Sequence, residues 1–460
     1  MSSPSSATLR RAPAPRITLL RVLDLLRMPA LALFTAFAIG AILIWITSGS
    51  LQTVFEAYAG LIRGAFFKQR GLSETLVASV PYIFLSLAVA VGFKAGLFNI
   101  GVEGQFYIGA ICAAWAGQAF HNLPAIVHLP LTVLAGMLGG AIWAAIPGFL
   151  KARTGAHEVI NTIMMNYIAF RLVEYVVSGP LRDRLATAVQ TARVAPEAEL
   201  WSLWAVPERM RDPLNALGVA LLLALITWFV ARSLKKGAAR RGEAQPGSTS
   251  FVSRHSPLIA AVVVGILSFV GLPPLTRLWW PFTDQYDRMH VGLILALLAA
   301  VAVWWLLWKT TTGFELRTSG ANPNAARYSG ISITRNIVLA MAISGGLAGI
   351  AGVVEILGVS ICRCLPLFFS SGYGFDSIAI ALLANNNPFG IVAGSFLWGA
   401  MRNGADLMEL TSGVSKYIIS VIQALVLLFV AAPSVVRWIY RMKEVPRTEA
   451  EAPLARGWGG

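Results

Sequence analysis

Charge is scarce in this sequence. Asp, Glu, Lys and Arg make up only 13% of the 460 residues, about half the share of a soluble protein. Hydrophobic residues reach 56%, and a soluble fold has no means of hiding that much apolar surface. Cysteine is nearly absent: three residues build no disulfide framework, and Cys362-x-Cys364 has no second pair with which to hold zinc, so no metal site is expected. Catalytic signatures are missing too. There is no G-x-x-x-x-G-K-[ST] phosphate loop, no H-E-x-x-H and no G-x-S-x-G. The first absence excludes ATP hydrolysis by that route in this chain. The others disfavour a membrane-embedded enzyme.

What is present is a series of long apolar runs, with a mean hydropathy of +0.67 for the chain. Lipid must be the solvent, crossed by helices of roughly 20 residues. Charge-free or nearly charge-free stretches occur at Met28–Phe55 and Thr75–Phe93, then on both sides of His121-Asn122-Leu123-Pro124 between Glu103 and Lys151. The next starts near Val159 and carries Arg171 and Glu174 toward its far end. Further runs are Pro213–Val230, Ser256–Thr276, Met289–Trp308, Asn336–Val354, Ser377–Met401 and Tyr417–Val436. Ser377–Met401 is interrupted at Asn385-Asn386-Asn387-Pro388, as a helix pair or a re-entrant element would be. The expectation is an all-α polytopic membrane protein with eleven or twelve spans. Trp279, Trp280, Trp304, Trp305 and Trp308 fall where interfacial belts are expected.

The net charge of +15 would suggest nucleic acid on a soluble chain. Here the basic residues gather in four segments: Arg10–Arg27, Arg232–Arg254, Lys309–Arg335 and Arg437–Arg456. All four share one side if the N-terminus is cytoplasmic, which puts both termini inside and favours twelve spans. The residues before Met28 form a basic tail, Ser/Ala/Pro/Arg-rich over the first 16 and expected to be disordered. Met28–Ser48 is too long for the core of a signal peptide.

Polar clusters interrupt these runs, and polar residues at membrane depth are expensive and usually functional. In Gly96–Gln105, glycines weaken helix continuity around Asn99, Glu103 and Gln105. Either a discontinuous helix lies at a translocation path, or the segment is a turn between spans. Glu158 opens a helix whose dipole favours it, with His157 a solvated loop residue and Asn166 further in. In Thr312–Ile331, Pro323 opens a short helix and Gly330 ends it, which makes a docking element across a loop. Asp376 reads as the N-cap of the next span. The Asn385–Asn387 run either faces a polar uncharged solute or turns a helical hairpin. Glu355 reads as an interfacial carboxylate. Gly345-x-x-x-Gly349, with Gly136, Gly139 and Gly140, signals close helix packing.

Taken together, G-L-F-N-I-G-V-E-G-Q at 96–105, H-E-V-I-N-T-I-M-M-N-Y at 157–167, G-F-E-L-R-T-S-G-A-N-P-N-A-A-R-Y-S-G-I at 313–331 and G-Y-G-F-D-S-I-A-I-A-L-L at 372–383 resemble bacterial ABC importer permeases. The branch is the one serving ribose-like sugars and branched-chain amino acids, and within it the nucleoside/simple-sugar permeases that work with a basic-membrane-protein type binding protein. The segments run in family order over most of 30–435. The resemblance implies about ten core transmembrane helices in a permease domain over 28–436 of the bacterial inner membrane. Its partners would be two ABC ATPase subunits, a second permease (copy or paralogue) and an extracytoplasmic substrate-binding protein. ATP and Mg would bind the ATPase, leaving no cofactor in this chain. The loop within 309–335 would couple to the ATPase through Gly313, Arg317, Asn322, Ala325, Ala326 and Gly330. The substrate pathway is assigned to Asn99, Glu103, Gln105, Asn166, Asn385 and Asn387. The sequence departs from the family at about 212–287, which reads as an inserted two-helix hairpin, and at Ala156-His157. Few charges suit a neutral nucleoside or sugar. Two alternatives remain open: an ion-coupled secondary transporter titrating Glu103, Glu355 and Asp376, and an ABC permease for branched-chain amino acids.

Overall fold

Side-chain caps and prolines set the helix starts. Ser50 Oγ accepts from Thr53 N–H at 3.4 Å, Thr310 Oγ1 from Gly313 N–H at 3.0 Å, and Asn387 Oδ1 from Phe389 N–H at 3.0 Å with Pro388 next in line. The computed structural model describes residues 19–120, 123–240, 251–278 and 281–441. Among these, the regular structure is helical apart from three isolated bridges. The expected disorder before residue 19, Trp279, Trp280, residues 241–250 of the basic loop and the tail from 442 lie outside the described residues.

The chain opens with α1 (Leu19–Ser48), so residues 19–27, assigned above to the tail, are helical. Then come α2 (Leu51–Ile62), a π-turn at Arg63–Phe67, and α3 (Gly71–Lys94). Next are α4 (Val102–Ala119), α5 (Ala125–Thr154) and α6 (Glu158–Ser178). A long connection holding α7 (Val206–Arg209) leads to the pair α8 (Pro213–Arg240) and α9 (Phe251–Leu278). The helices α10 (Gly292–Lys309), α11 (Thr311–Ala321) and α12 (Pro323–Tyr328) follow. The chain closes with α13 (Ile333–Val354), a π-turn at Glu355–Val359, α14 (Tyr373–Leu383), α15 (Pro388–Ser412), α16 (Tyr417–Ala431) and α17 (Pro433–Ile439).

Among the described residues, seven helices are long and apolar enough to cross a membrane, or eight if the pair α16 and α17, bent by 93°, is one span. That is fewer than the eleven or twelve expected. The difference lies in α4, α6 and α15. They have 18, 21 and 25 residues, but carry Glu103 and Gln105, Arg171 and Glu174, and Arg402, Asn403, Asp406 and Glu409. The Ser377–Met401 run resolves as a helix pair, α14 and α15.

The core is glycine packing. Gly345 and Gly349 of α13 lie against the backbone of Gly140 and Gly136 on α5, and Gly109 of α4 lies against Gly349. A Cβ at Gly109, Gly140, Gly345 or Gly349 would strike main-chain atoms, and one at Gly136 the Val353 side chain, so the glycines permit an unusually close contact. Around this crossing, α3 packs on α13, α15 and α14. Burial follows: 83% of the α3 span lies inside the protein, against 17% for α8 and 6% for α9. The α8–α9 pair packs on itself and meets the bundle chiefly through α5, α7 and the Phe229–Trp305 ring contact.

The bundle has two ends. At one, Lys94 and Arg317 both lie over the Trp308 ring at 5.9 Å, and Gly96 meets the backbone of Gly320. At the other, Arg70 donates to Asp284 at 2.6 Å and Arg288 to Glu74 at 3.0 Å. The Arg70 bond holds the exposed Asp284 carboxyl below its ordinary range.

Candidate functional site

With 11 residues, α14 is about 16 Å long, half a membrane thickness. Its first residue, Tyr373, stacks 4.8 Å from Tyr82 at the middle of α3. The helix therefore starts inside the bundle, where its leading N–H groups have no water to bond. A carboxylate from another helix meets them. Glu103 on α4, only 2% exposed, accepts from Gly374 N–H through one oxygen and from Ser370 Oγ at 2.6 Å through the other. The negative charge sits at the positive end of the α14 dipole. Asp376 is not the N-cap expected above: Gly372 holds that position in a left-handed conformation, and Asp376 lies in the first turn. It accepts from Tyr82 Oη at 3.1 Å.

Arg402 on α15 completes the cluster. It donates to Tyr82 Oη at 3.1 Å and lies 4.2 Å above the centre of the Tyr373 ring. Its charge acts on Glu103, Asp376 and Glu355 together. Glu355, read above as interfacial, is buried in the π-turn after α13, with Oε2 lacking a hydrogen bond. Arg402 and the α14 N-terminus thus lie among three carboxylates, and the charge of Arg288 also acts on Glu355. An aromatic wall adjoins them. Tyr107 stands 4.6 Å from Phe369 and 4.8 Å from Phe170, and Phe106 lies 5.1 Å from Phe369. Ring faces beside hydrogen-bonding groups can stack a flat polar solute and hold its hydroxyls.

The amides form a separate cluster. Asn99 and Gln105 exchange two hydrogen bonds at 3.0 Å, and Asn99 Nδ2 also donates to Ser344 Oγ at 2.9 Å. Asn166 accepts from Gly104 N–H at 2.8 Å and donates to the Ile100 carbonyl at 3.0 Å. The Gly96–Gln105 segment is thus a buried break between α3 and α4, closed on protein partners. Asn385 and Asn387 are not brought to either cluster. They sit at the far end of α14, where Asn385 and Asn386 adopt left-handed turns and Asn387 caps α15.

Tyr82, Ser370 and Arg402 escaped sequence reasoning, and Tyr373 fell within the 372–383 segment without a role assigned to it. Arg402 was the available signal, since it directly follows the Ser377–Met401 run. Among the described residues no group of three or more His, Cys, Asp or Glu is arranged to hold a metal ion. Cys362 and Cys364 are joined by a disulfide.

At the other end of α10, local sequence builds a projecting element. Asn322 Oδ1 caps α12 by accepting from Ala325 N–H at 3.0 Å, and Gly330 ends it at φ +77. Ala326 is buried beneath, while Asn322, Ala325, Arg327 and Gly330 are exposed and Tyr328 is 95% exposed. Gly313 packs on the backbone of Leu306 and Leu307, so α11 leans tightly on α10.

A multi-pass helical bundle with a buried charged cluster beside a half-length helix is a membrane transport component. The family described as branched-chain amino acid transport system / permease component matches residues 71–233 and 200–431, and the chain belongs to it. It is 35% identical over 414 residues to the guanosine ABC transporter permease protein NupP of Bacillus subtilis, covering 90% of this chain and 95% of NupP. It is 30% identical over 401 residues to the glucose ABC transporter permease protein TsgB13 of Haloferax volcanii, covering 87% and 86%. It is 28% identical over 427 residues to the nucleoside ABC transporter permease protein NupB of Lactococcus lactis, covering 92% and 95%. No solved structure gives a significant match.

Proposed function

We propose that this chain is the membrane-spanning permease subunit of an ABC importer for a nucleoside or simple sugar. The observation that carries this reading is similarity along nearly the whole chain to permease proteins of ABC transporters for guanosine, glucose and nucleosides. Separate ATPase subunits bind ATP and Mg and supply the work. A second permease and an extracytoplasmic binding protein complete the importer in a bacterial inner membrane. Both termini, α11 and α12 face the cytoplasm, in line with the basic residues of those segments.

In this reading the exposed face of α12 enters a groove of the ATPase. Movement there passes through two close contacts, Gly313 on α10 and Gly320 on the end of α3. Tyr82, halfway along α3, then shifts against Tyr373 and Asp376, changing the seat of α14. The aromatic wall takes the base or sugar face and the charged cluster its hydroxyls. An ionic solute would add a further charge to a site that already buries several. The amides Asn99, Gln105 and Asn166 hold the break before α4 in place beside this path.

The test is reconstitution with the ATPase, second permease and binding protein. Arg317→Glu, or deletion of 322–330, should abolish ATP-driven uptake of labelled nucleoside while the chain still inserts and stays monodisperse. Normal uptake by both variants, or uptake by the chain alone on an ion gradient, would overturn the reading.

A further inference from the structure

The face formed by α2 and its π-turn takes no part in the site above. A cavity of about 700 Å³ opens there, walled by Phe55, Tyr58, Ile62 and Phe67 and edged by Arg63 and Lys68. A second, apolar cavity of about 450 Å³ adjoins it and shares Tyr58 and Ile62. Phe55, Ile62 and Phe67 are among the exposed large side chains.

The pairing of the two cations is a product of the π-turn. Five residues apart on an α-helix, they would point about 140° away from each other, at roughly 100° per residue. The widened turn, closed by Lys68 N–H to the Arg63 carbonyl at 2.7 Å, narrows that angle, and both side chains line the same cavity. Neither cation makes an ion pair among the described residues. Glu56, the acid of α2, is bonded by Gln52 at 2.8 Å and does not line the cavity. Two residues beyond Lys68, Arg70 pairs with the exposed Asp284, so the cations sit at the polar boundary of the bundle. The apolar walls are exposed on the outer face of the bundle.

Two uncompensated cations over an apolar cavity at a membrane boundary match an amphiphile with an anionic head. We propose that this cavity is a binding site for an anionic phospholipid, with its phosphate between Arg63 and Lys68 and acyl chain against Phe55, Tyr58, Ile62 and Phe67. The charge pattern selects this occupant over a second copy of the chain, whose contact would have to supply acids to both cations.

The experiment uses the purified full chain in mild detergent, supplied with phosphatidylglycerol or phosphatidylcholine of identical acyl chains, with bound lipid read by native mass spectrometry. Wild type should retain phosphatidylglycerol about twenty-five-fold better, from roughly fivefold per cation. Arg63→Gln or Lys68→Gln alone should each remove about fivefold, and the pair together nearly all of the preference. Lys416→Gln, a cation already paired with Asp406, should leave it unchanged. Inorganic phosphate should not displace the lipid. Brominated phosphatidylglycerol should quench a Phe67→Trp variant, and the quenching should vanish with both cations removed. Equal retention of the two lipids, an unchanged ratio in the substituted chains, displacement by free phosphate, or cross-linked dimers through Phe67→Cys would overturn the proposal.

Discussion

The α5–α13 crossing and the α8–α9 hairpin both use small residues four apart, yet they are different kinds of contact. In the crossing, backbone meets backbone: Gly345 lies on the Gly140 carbonyl and Gly349 on the Gly136 carbonyl. In the hairpin, Gly265 faces the Ala224 methyl, and a Cβ at Gly271 would meet nothing within 4 Å. The crossing carries α3, α4 and, through them, the charged cluster. The hairpin carries no part of that cluster. Similar composition thus serves two purposes. In the core it sets the separation of helices that hold function, and at the periphery it offers apolar surface to lipid.

Breaking the core contact should have the largest effect. Gly140→Leu or Gly349→Leu forces a side chain into main-chain atoms and should cost about 3 kcal/mol or more. Loss of monodisperse protein in size-exclusion chromatography checks this. Gly271→Ala in α9 should do the reverse, raising the thermal midpoint through a gain of up to about 1 kcal/mol in helix propensity. Equal outcomes at the two sites would erase the distinction between core and periphery.

Next comes the seat of α14. Glu103→Gln keeps the shape but removes the charge from the helix N-terminus, and should lower stability by about 1–3 kcal/mol. Nucleoside uptake should drop about tenfold or more. Glu103→Ala should be worse. If Glu103→Gln transports normally, α14 is held by packing alone.

Replacing residues 213–278 by a short linker should leave uptake within about threefold, because a peripheral excursion adds little to the closure cost of the chain. Abolished uptake in a well-folded deletion would show the hairpin to be part of the machine. The smallest effect is expected at Asp284, which is exposed and pairs with Arg70 at the surface. Its folded carboxyl titrates below the unfolded value. Its contribution is therefore present above about pH 4 and lost as pH falls through the lower folded value. Asp284→Asn should shift the thermal midpoint slightly at neutral pH and not at all in acid.

The legible features were those built within one turn of chain. Asn322-Pro323 and Gly330 bound α12 as local capping rules require. Gly345-x-x-x-Gly349 announced a close crossing, though not its partner. Asp376 misled for the same local reason: an acid in a first turn looks like a cap, whereas the carboxylate that bonds Gly374 N–H comes from Glu103, 271 positions away. Arg402 was passed over because a charge next to an apolar run reads as its end, while here α15 continues through it to Ser412. The gap between eleven or twelve expected spans and the seven or eight helices apolar enough to cross has the same origin. Polar side chains on α4, α6 and α15 lower their apolarity; Glu103 and Arg402 find partners on other elements, while Arg171 and Glu174 pair within α6.

Composition alone determined that this chain lives in lipid, because no soluble arrangement buries so much apolar surface with so few charges. The order of its polar segments determined the family. Only the tertiary structure decided which carboxylate caps α14, that the charge of Arg402 acts on three acids, and that the turn after α2 places two cations on one cavity. Those are contacts across helices or around an irregular turn, and their energies depend on distances that no local pattern of residues encodes.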